Sequence, residues 1–135
     1  MPRFRVEKLI RDRLPQIMRA SGLAVFDRRL DAADFDRALR QKLVEEAGEA
    51  QQAQSEEALI DELADLAEVT AALSALHGVT SAMIEAARLK KREARGGFDD
   101  RVWNAAVAAE DGAPALDYYL ARPEQYPRVD GEAQT

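Results

Sequence analysis

Two long helical segments follow one another between Asp31 and Gly78, and each carries a carboxylate where its apolar stripe should run. Take Leu39 as the origin of the first segment and advance about 100° per residue. Leu43 and Ala50 then lie within about 40° of Leu39, Glu46 falls near −20°, inside that arc, and Glu49 falls near −80°, at its edge. On the second segment, with Leu59 as origin, Leu63, Leu66, Thr70 and Leu73 define the apolar face; Glu62 lies near −60° among them and Asp65 near −120° at the rim. Asp61, Glu68 and Glu56 point away, as solvated acids do. Each helix therefore presents an i,i+3 acid pair with one inward member. In an antiparallel hairpin the two pairs face each other. Carboxylates gathered and buried in that way require a counter-charge. Hard oxygen donors without histidine or cysteine select Mg²⁺, with Mn²⁺ as second choice and Ca²⁺ behind. A di-iron bundle is set aside, because it uses Glu-x-x-His and His77 does not stand three residues after any glutamate. The competing reading is an ordinary acidic amphipathic hairpin with a solvated face.

Local signals place the elements. Residues 12–21 read as a short helix, with Pro15 in its first turn and Gly22 as its stop. Residues 23–30 are expected to be extended, pairing with Phe98 to Val107 as a minor β element. Asp31 or Asp34 caps a helix to about Gln54, Ser55 caps the next, and that one ends at His77-Gly78. Thr80 or Ser81 opens a third helix to about Arg95, broken by Gly96-Gly97. Trp103 is expected to anchor packing, and Leu59, Leu63, Leu66, Leu73 and Leu76 to form core and subunit interface.

With 135 residues the chain is expected to be one domain over residues 1–122 with a loose tail over 123–135. Its formal net charge of −6 argues against nucleic acid as partner, yet a phosphorylated substrate remains compatible if a divalent cation stands between acids and phosphates. The absence of cysteine excludes disulfides and thiolate zinc sites. No signal peptide or membrane-spanning stretch is visible, so a cytoplasmic location is expected. A core this small, on helices rich in Ala and Leu, is expected to be completed by a homodimer or higher homo-oligomer.

Three segments in order carry a family resemblance. Glu45-Glu46-Ala47-Gly48-Glu49, twelve intervening residues and Glu62-Leu63-Ala64-Asp65 resemble the acid motif of the MazG-like all-α nucleoside triphosphate pyrophosphohydrolases. Lys8-Leu9-Ile10-Arg11-Asp12-Arg13-Leu14-Pro15 and Lys91-Arg92-Glu93-Ala94-Arg95-Gly96-Gly97-Phe98 are similar to flanking motifs of the branch related to phosphoribosyl-ATP pyrophosphohydrolase. The resemblance covers roughly residues 6–104. It implies Mg²⁺ ligands at Glu46, Glu49, Glu62 and Asp65. It makes Glu45 and Glu46 the candidate catalytic residues, with Glu45 orienting water or contacting a further ion. It also implies hydrolysis of the α–β phosphoanhydride bond of a nucleotide, giving a monophosphate and pyrophosphate. Lys91 and Arg95, spaced i,i+4, could grip one phosphate together, with helix-dipole compensation as the plainer alternative. Lys8, Arg11 and Asp12 are placed beside the substrate by their motif. The expected architecture is all-α, a helical hairpin completing a four-helix bundle-like core by dimerisation. Two rivals stand beside this reading: a phosphoribosyl-ATP pyrophosphohydrolase of histidine biosynthesis, and a non-catalytic helical binding module.

Overall fold

The structure, a computed structural model, describes residues 1–131. Its helices are α1 (Leu14–Ala20), α2 (Ala32–Gln52), α3 (Glu56–Leu76), α4 (Ser81–Arg95) and α5 (Leu116–Leu120). The chain divides into two units, Met1–Lys91 and Arg92–Thr135.

The helix boundaries follow from side chains that satisfy orphan backbone groups. Asp31 accepts from the Asp34 N–H at 2.8 Å and caps α2. Ser55 accepts from the Ala58 N–H at 3.0 Å and caps α3, whose first turn also holds Glu56 and Glu57 against the positive end of the helix dipole. Thr80 accepts from the Met83 N–H at 3.1 Å ahead of α4. At the end of α3 the Val79 N–H reaches back to the Ser74 carbonyl at 2.9 Å and the Gly78 N–H to Ala75 at 3.1 Å. This closure needs a left-handed residue, and Gly78 supplies it with φ +67°.

α2 and α3 pack along their length, joined by three residues. Near the connection Glu49 faces Glu62; at the far end the His77 ring meets Asp36 at 2.6 Å. Those two contacts fix the hairpin as antiparallel. Its buried apolar side chains among the described residues are Leu39 and Val69, and Glu46 is the one buried charged residue. The other expected core leucines are half-buried or, for Leu59 and Leu63, exposed. The N-terminal segment has no regular structure; Leu9 and Ile10 are half-buried, and Lys8 and Arg11 reach the hairpin.

Two expectations are corrected. No strand occurs among the described residues, so the minor β element is absent. Residues 23–30 are held instead by side chains. Arg19 donates to the Val25 carbonyl at 3.0 Å and pairs with Asp27, while the Arg3 guanidinium lies 4.1 Å from the Phe26 ring centre. Phe98 to Val107 is interrupted by a turn, with Arg101 N–H bonded to the Phe98 carbonyl and Arg101 at φ +57°, and a lone two-stranded ribbon has little stability of its own. Trp103 is exposed rather than an anchor. The second unit has its own small nucleus: Tyr118, Tyr119 and Tyr126 pack with ring centres 5.0–5.8 Å apart, and Arg122 lies 3.9 Å from the Tyr118 ring centre. Tyr126 lies within residues 123–135, whose last four residues fall outside the described ones.

Candidate active site

Helical periodicity brings the acids together. Glu46 and Glu49 stand one turn apart on α2, Glu62 and Asp65 one turn apart on α3, and the antiparallel register sets the pairs opposite each other near the α2–α3 connection. Glu46, Glu49 and Glu62 each offer a carboxylate oxygen, and these oxygens all lie within 4.8 Å of one another. Glu46 is 5 % exposed, while Glu49 is open to solvent and Glu62 is half-buried. The trio is thus closed on one side and accessible on the other.

The electrostatics of this arrangement are unfavourable without a cation. Burial, then the neighbouring Glu49 and Asp65 charges, raise the Glu46 pKa above its ordinary value, partly offset by Lys42. Glu62 is pushed up to about 7, first by the Glu49 carboxylate within hydrogen-bonding reach, then by burial and by Glu46. Glu46 Oε2 and Glu62 Oε2 are buried and have no hydrogen-bond partner. Buried polar atoms are normally satisfied, so these two orphaned carboxylate oxygens call for a partner that the described side chains do not supply. The three oxygens are close enough together that one divalent ion could be held among them. The donor set is all oxygen, which suits a hard divalent ion. These residues fit such an ion.

Around the trio stand three basic residues. Lys8 Nζ donates to Glu45 Oε1 at 3.0 Å, and Arg11 donates to Asp65 Oδ1 at 2.7 Å. Lys42 lies 3.6 Å from Glu46 and 3.9 Å from Glu45. Glu45 therefore sits beside the trio, held by lysines. Asp65 is close enough to raise the Glu46 pKa, but its own carboxylate is engaged by Arg11 and lies outside the group of three.

Other sequence-singled residues are placed differently. Asp12 is exposed on the N-terminal segment next to Arg11. Lys91 is exposed at the end of the first unit, and Arg95 is exposed within the second. Among the described residues neither makes an ion pair. Their neighbour Arg92 pairs with Asp99 at 3.2 Å and packs its guanidinium against Gly97, where a Cβ would collide with it. Gly96, at φ +81°, ends α4.

Lys42 was the residue missed. Its signal was available: at about −60° from Leu39 it falls between Glu46 and Glu49 on the same helix face. His77, expected only to end α3, also ties that end to α2 through Asp36.

Comparison with curated proteins and with solved structures gave no match. Residues 5–92, which contain all the acids and bases of the cluster, match the family model described as phosphoribosyl-ATP pyrophosphohydrolase. The chain therefore belongs to the phosphoribosyl-ATP pyrophosphohydrolase family and is a pyrophosphohydrolase, an enzyme that acts on acid anhydrides.

Proposed function

We propose that this chain is a Mg²⁺-dependent nucleotide pyrophosphohydrolase, cleaving the α–β bond of a nucleoside triphosphate or related nucleotide to a monophosphate and pyrophosphate. The observation that carries the metal site is the pair of orphaned oxygens on Glu46 and Glu62 beside Glu49. Family membership carries the reaction class. Mn²⁺ would serve by the same oxygen chemistry.

In this reading Glu46, Glu49 and Glu62 hold the ion, and Asp65 joins them. The bound ion supplies neutralisation of phosphate charge and a lowered pKa for water. The protein residues do the positioning. Glu46, fixed by burial, would hold the ion in one place. Glu45, steadied by Lys8 and Lys42 at the rim, orients the attacking water or contacts a further ion. Lys8 and Arg11, with Asp12 beside them, border the side from which an anionic substrate arrives. Lys91 and Arg95 are proposed to bind phosphate from α4.

A homodimer or higher homo-oligomer is part of the proposal. Leu59, Ile60 and Leu63 of α3 and Met83, Ile84 and Leu89 of α4 are all exposed. A groove of about 580 Å³ runs between the α3 and α4 residues Leu63, Leu66, Thr70, Ser81 and Ile84. Burying such a surface against a second copy would complete a four-helix core. No helix among the described residues is long and apolar enough to cross a membrane, and we propose a cytoplasmic location and no nucleic-acid partner.

Phosphoribosyl-ATP as substrate, in histidine biosynthesis, is a second reading favoured by the matched family description. Both readings use the same bond cleavage. A panel of ribo- and deoxynucleoside triphosphates and phosphoribosyl-ATP, each with Mg²⁺, separates them by relative kcat/KM. Pyrophosphate plus a monophosphate product is expected; release of orthophosphate refutes the α–β assignment. Activity surviving Glu62→Gln refutes the site.

A further inference from the structure

The acid cluster carries five carboxylates, Glu45, Glu46, Glu49, Glu62 and Asp65, against three cationic side chains, Lys8, Arg11 and Lys42, leaving two formal negative charges. The cations are not spread evenly. Lys42 sits beside Glu46 at ion-pair distances too long for a good hydrogen bond. Arg11 makes a short 2.7 Å contact with the one carboxylate of the two i,i+3 pairs that stands outside the trio. Arg11 comes from the irregular N-terminal segment, not from the hairpin, so it can withdraw without unpacking α2 or α3.

We propose that Arg11 is a positioning residue that competes with the divalent ion for Asp65: it holds that carboxylate aside in the metal-free protein and gives it up when the ion enters. This inference rests on the metal-site reading above and adds a named rival cation to it. The physical reason is that a guanidinium and a divalent ion both need the same carboxylate, so the ion must displace the guanidinium to gain it. The Arg11 and Asp65 side chains are 58 % and 39 % exposed. Exposed ion pairs of this kind are weak and give way readily. A buried pair would have locked Asp65 out; this one only delays it. Arg11 is then set free beside the site at the moment the ion is in place.

The test uses Mn²⁺ alone, without nucleotide, titrated into the full chain and followed by electron paramagnetic resonance of the free ion. Wild type, Arg11→Gln, Asp65→Asn and the double variant are compared, with circular dichroism to establish that each is helical. Arg11→Gln should bind Mn²⁺ roughly three- to tenfold more tightly than wild type, since the exposed pair that holds Asp65 aside is removed. Asp65→Asn should bind roughly tenfold more weakly, and adding Arg11→Gln to it should change nothing further. Equal or weaker binding by a folded Arg11→Gln overturns the inference, because Arg11 would then only tether the N-terminal segment. Tighter binding by the double variant than by Asp65→Asn overturns it too, because Arg11 would then act through its general field and not through Asp65. If wild type binds Mn²⁺ and only the variant pattern fails, the metal site stands without this inference; if wild type takes up no Mn²⁺, both fall together. Should Arg11→Gln fail to fold, the comparison of wild type with Arg11→Met decides: methionine keeps the apolar stem and removes the cation that holds Asp65, so its Mn²⁺ binding must be tighter than wild type, and unchanged or weaker binding overturns the inference.

Discussion

Replacing Glu46 by Gln should uncouple the two things its burial does. Glu46 is 5 % exposed and one of its oxygens has no partner, so in the metal-free protein its charge is a burden. Glutamine keeps the volume and removes the charge. The metal-free variant should therefore be no less stable than wild type. Metal linkage should move the opposite way. Wild type at an Mg²⁺ concentration roughly ten times its dissociation constant gains RT ln 11, about 1.4 kcal/mol. For a chain of 135 residues that is a rise in Tm of about 5 °C. Glu46→Gln should show little or none of that rise. Its kcat/KM should fall at least ~100-fold, since residues one shell further from a metal already cost 10–100-fold. The assay is thermal unfolding at 222 nm in EDTA and in MgCl₂, paired with pyrophosphate release. A variant that melts several degrees below wild type in EDTA, yet keeps the Mg²⁺ shift, would refute the reasoning, because Glu46 would then be held by protein contacts and not by an ion.

Further expectations concern the backbone, the caps and pH. Gly48→Ala should stabilise the protein by about 1 kcal/mol, because the added Cβ meets nothing within 4 Å; a lower urea midpoint would show that something packs there. Ser55→Ala should cost about 1 kcal/mol, read as an earlier urea midpoint, through loss of the bond to the Ala58 N–H. The pKa of Glu62 is raised to about 7 in the folded, metal-free chain, so its stabilising contribution is full below its ordinary value and is lost as pH rises through about 7. Tm in EDTA should therefore drift down over that window, and Mg²⁺ should remove the drift; a drift that persists with saturating Mg²⁺ counts against the site. Asp36 works in the opposite sense, held below its usual value by His77 and then Arg40, so its contribution is present above the ordinary carboxylate value and lost as pH falls through the depressed one. Asp36→Asn should flatten the acid limb of the Tm–pH curve.

Local signals carried most of the helical part of this fold. Asp31, Ser55 and Thr80 announce helix starts because a side-chain oxygen three residues ahead of an orphan N–H acts within one turn, and Gly78 and Gly96 announce stops because a left-handed residue is needed there. The inward aspect of Glu46 and Glu62 was readable because it depends only on angle around a helix. Contacts made across the fold were not readable. Arg11 to Asp65 spans 54 residues and Asp36 to His77 spans 41, and nothing local encodes either. Lys42 is a different case, since its angle placed it among the acids. The β expectation failed because β-branched and aromatic composition reports a wish for cover and does not name a partner strand; Phe26 stays exposed, met on its ring face by the Arg3 guanidinium. The five-residue α5 was missed because so short a helix has no periodicity to detect. Nothing in the structure explains why residue 48 is glycine.

The most direct measurement is an anomalous difference map from crystals soaked in Mn²⁺ with a non-hydrolysable nucleotide. The account predicts a peak bounded by the carboxylates of Glu46, Glu49 and Glu62, next to the nucleotide phosphates. A peak elsewhere, or those three carboxylates satisfied by protein groups with no ion among them, would contradict it.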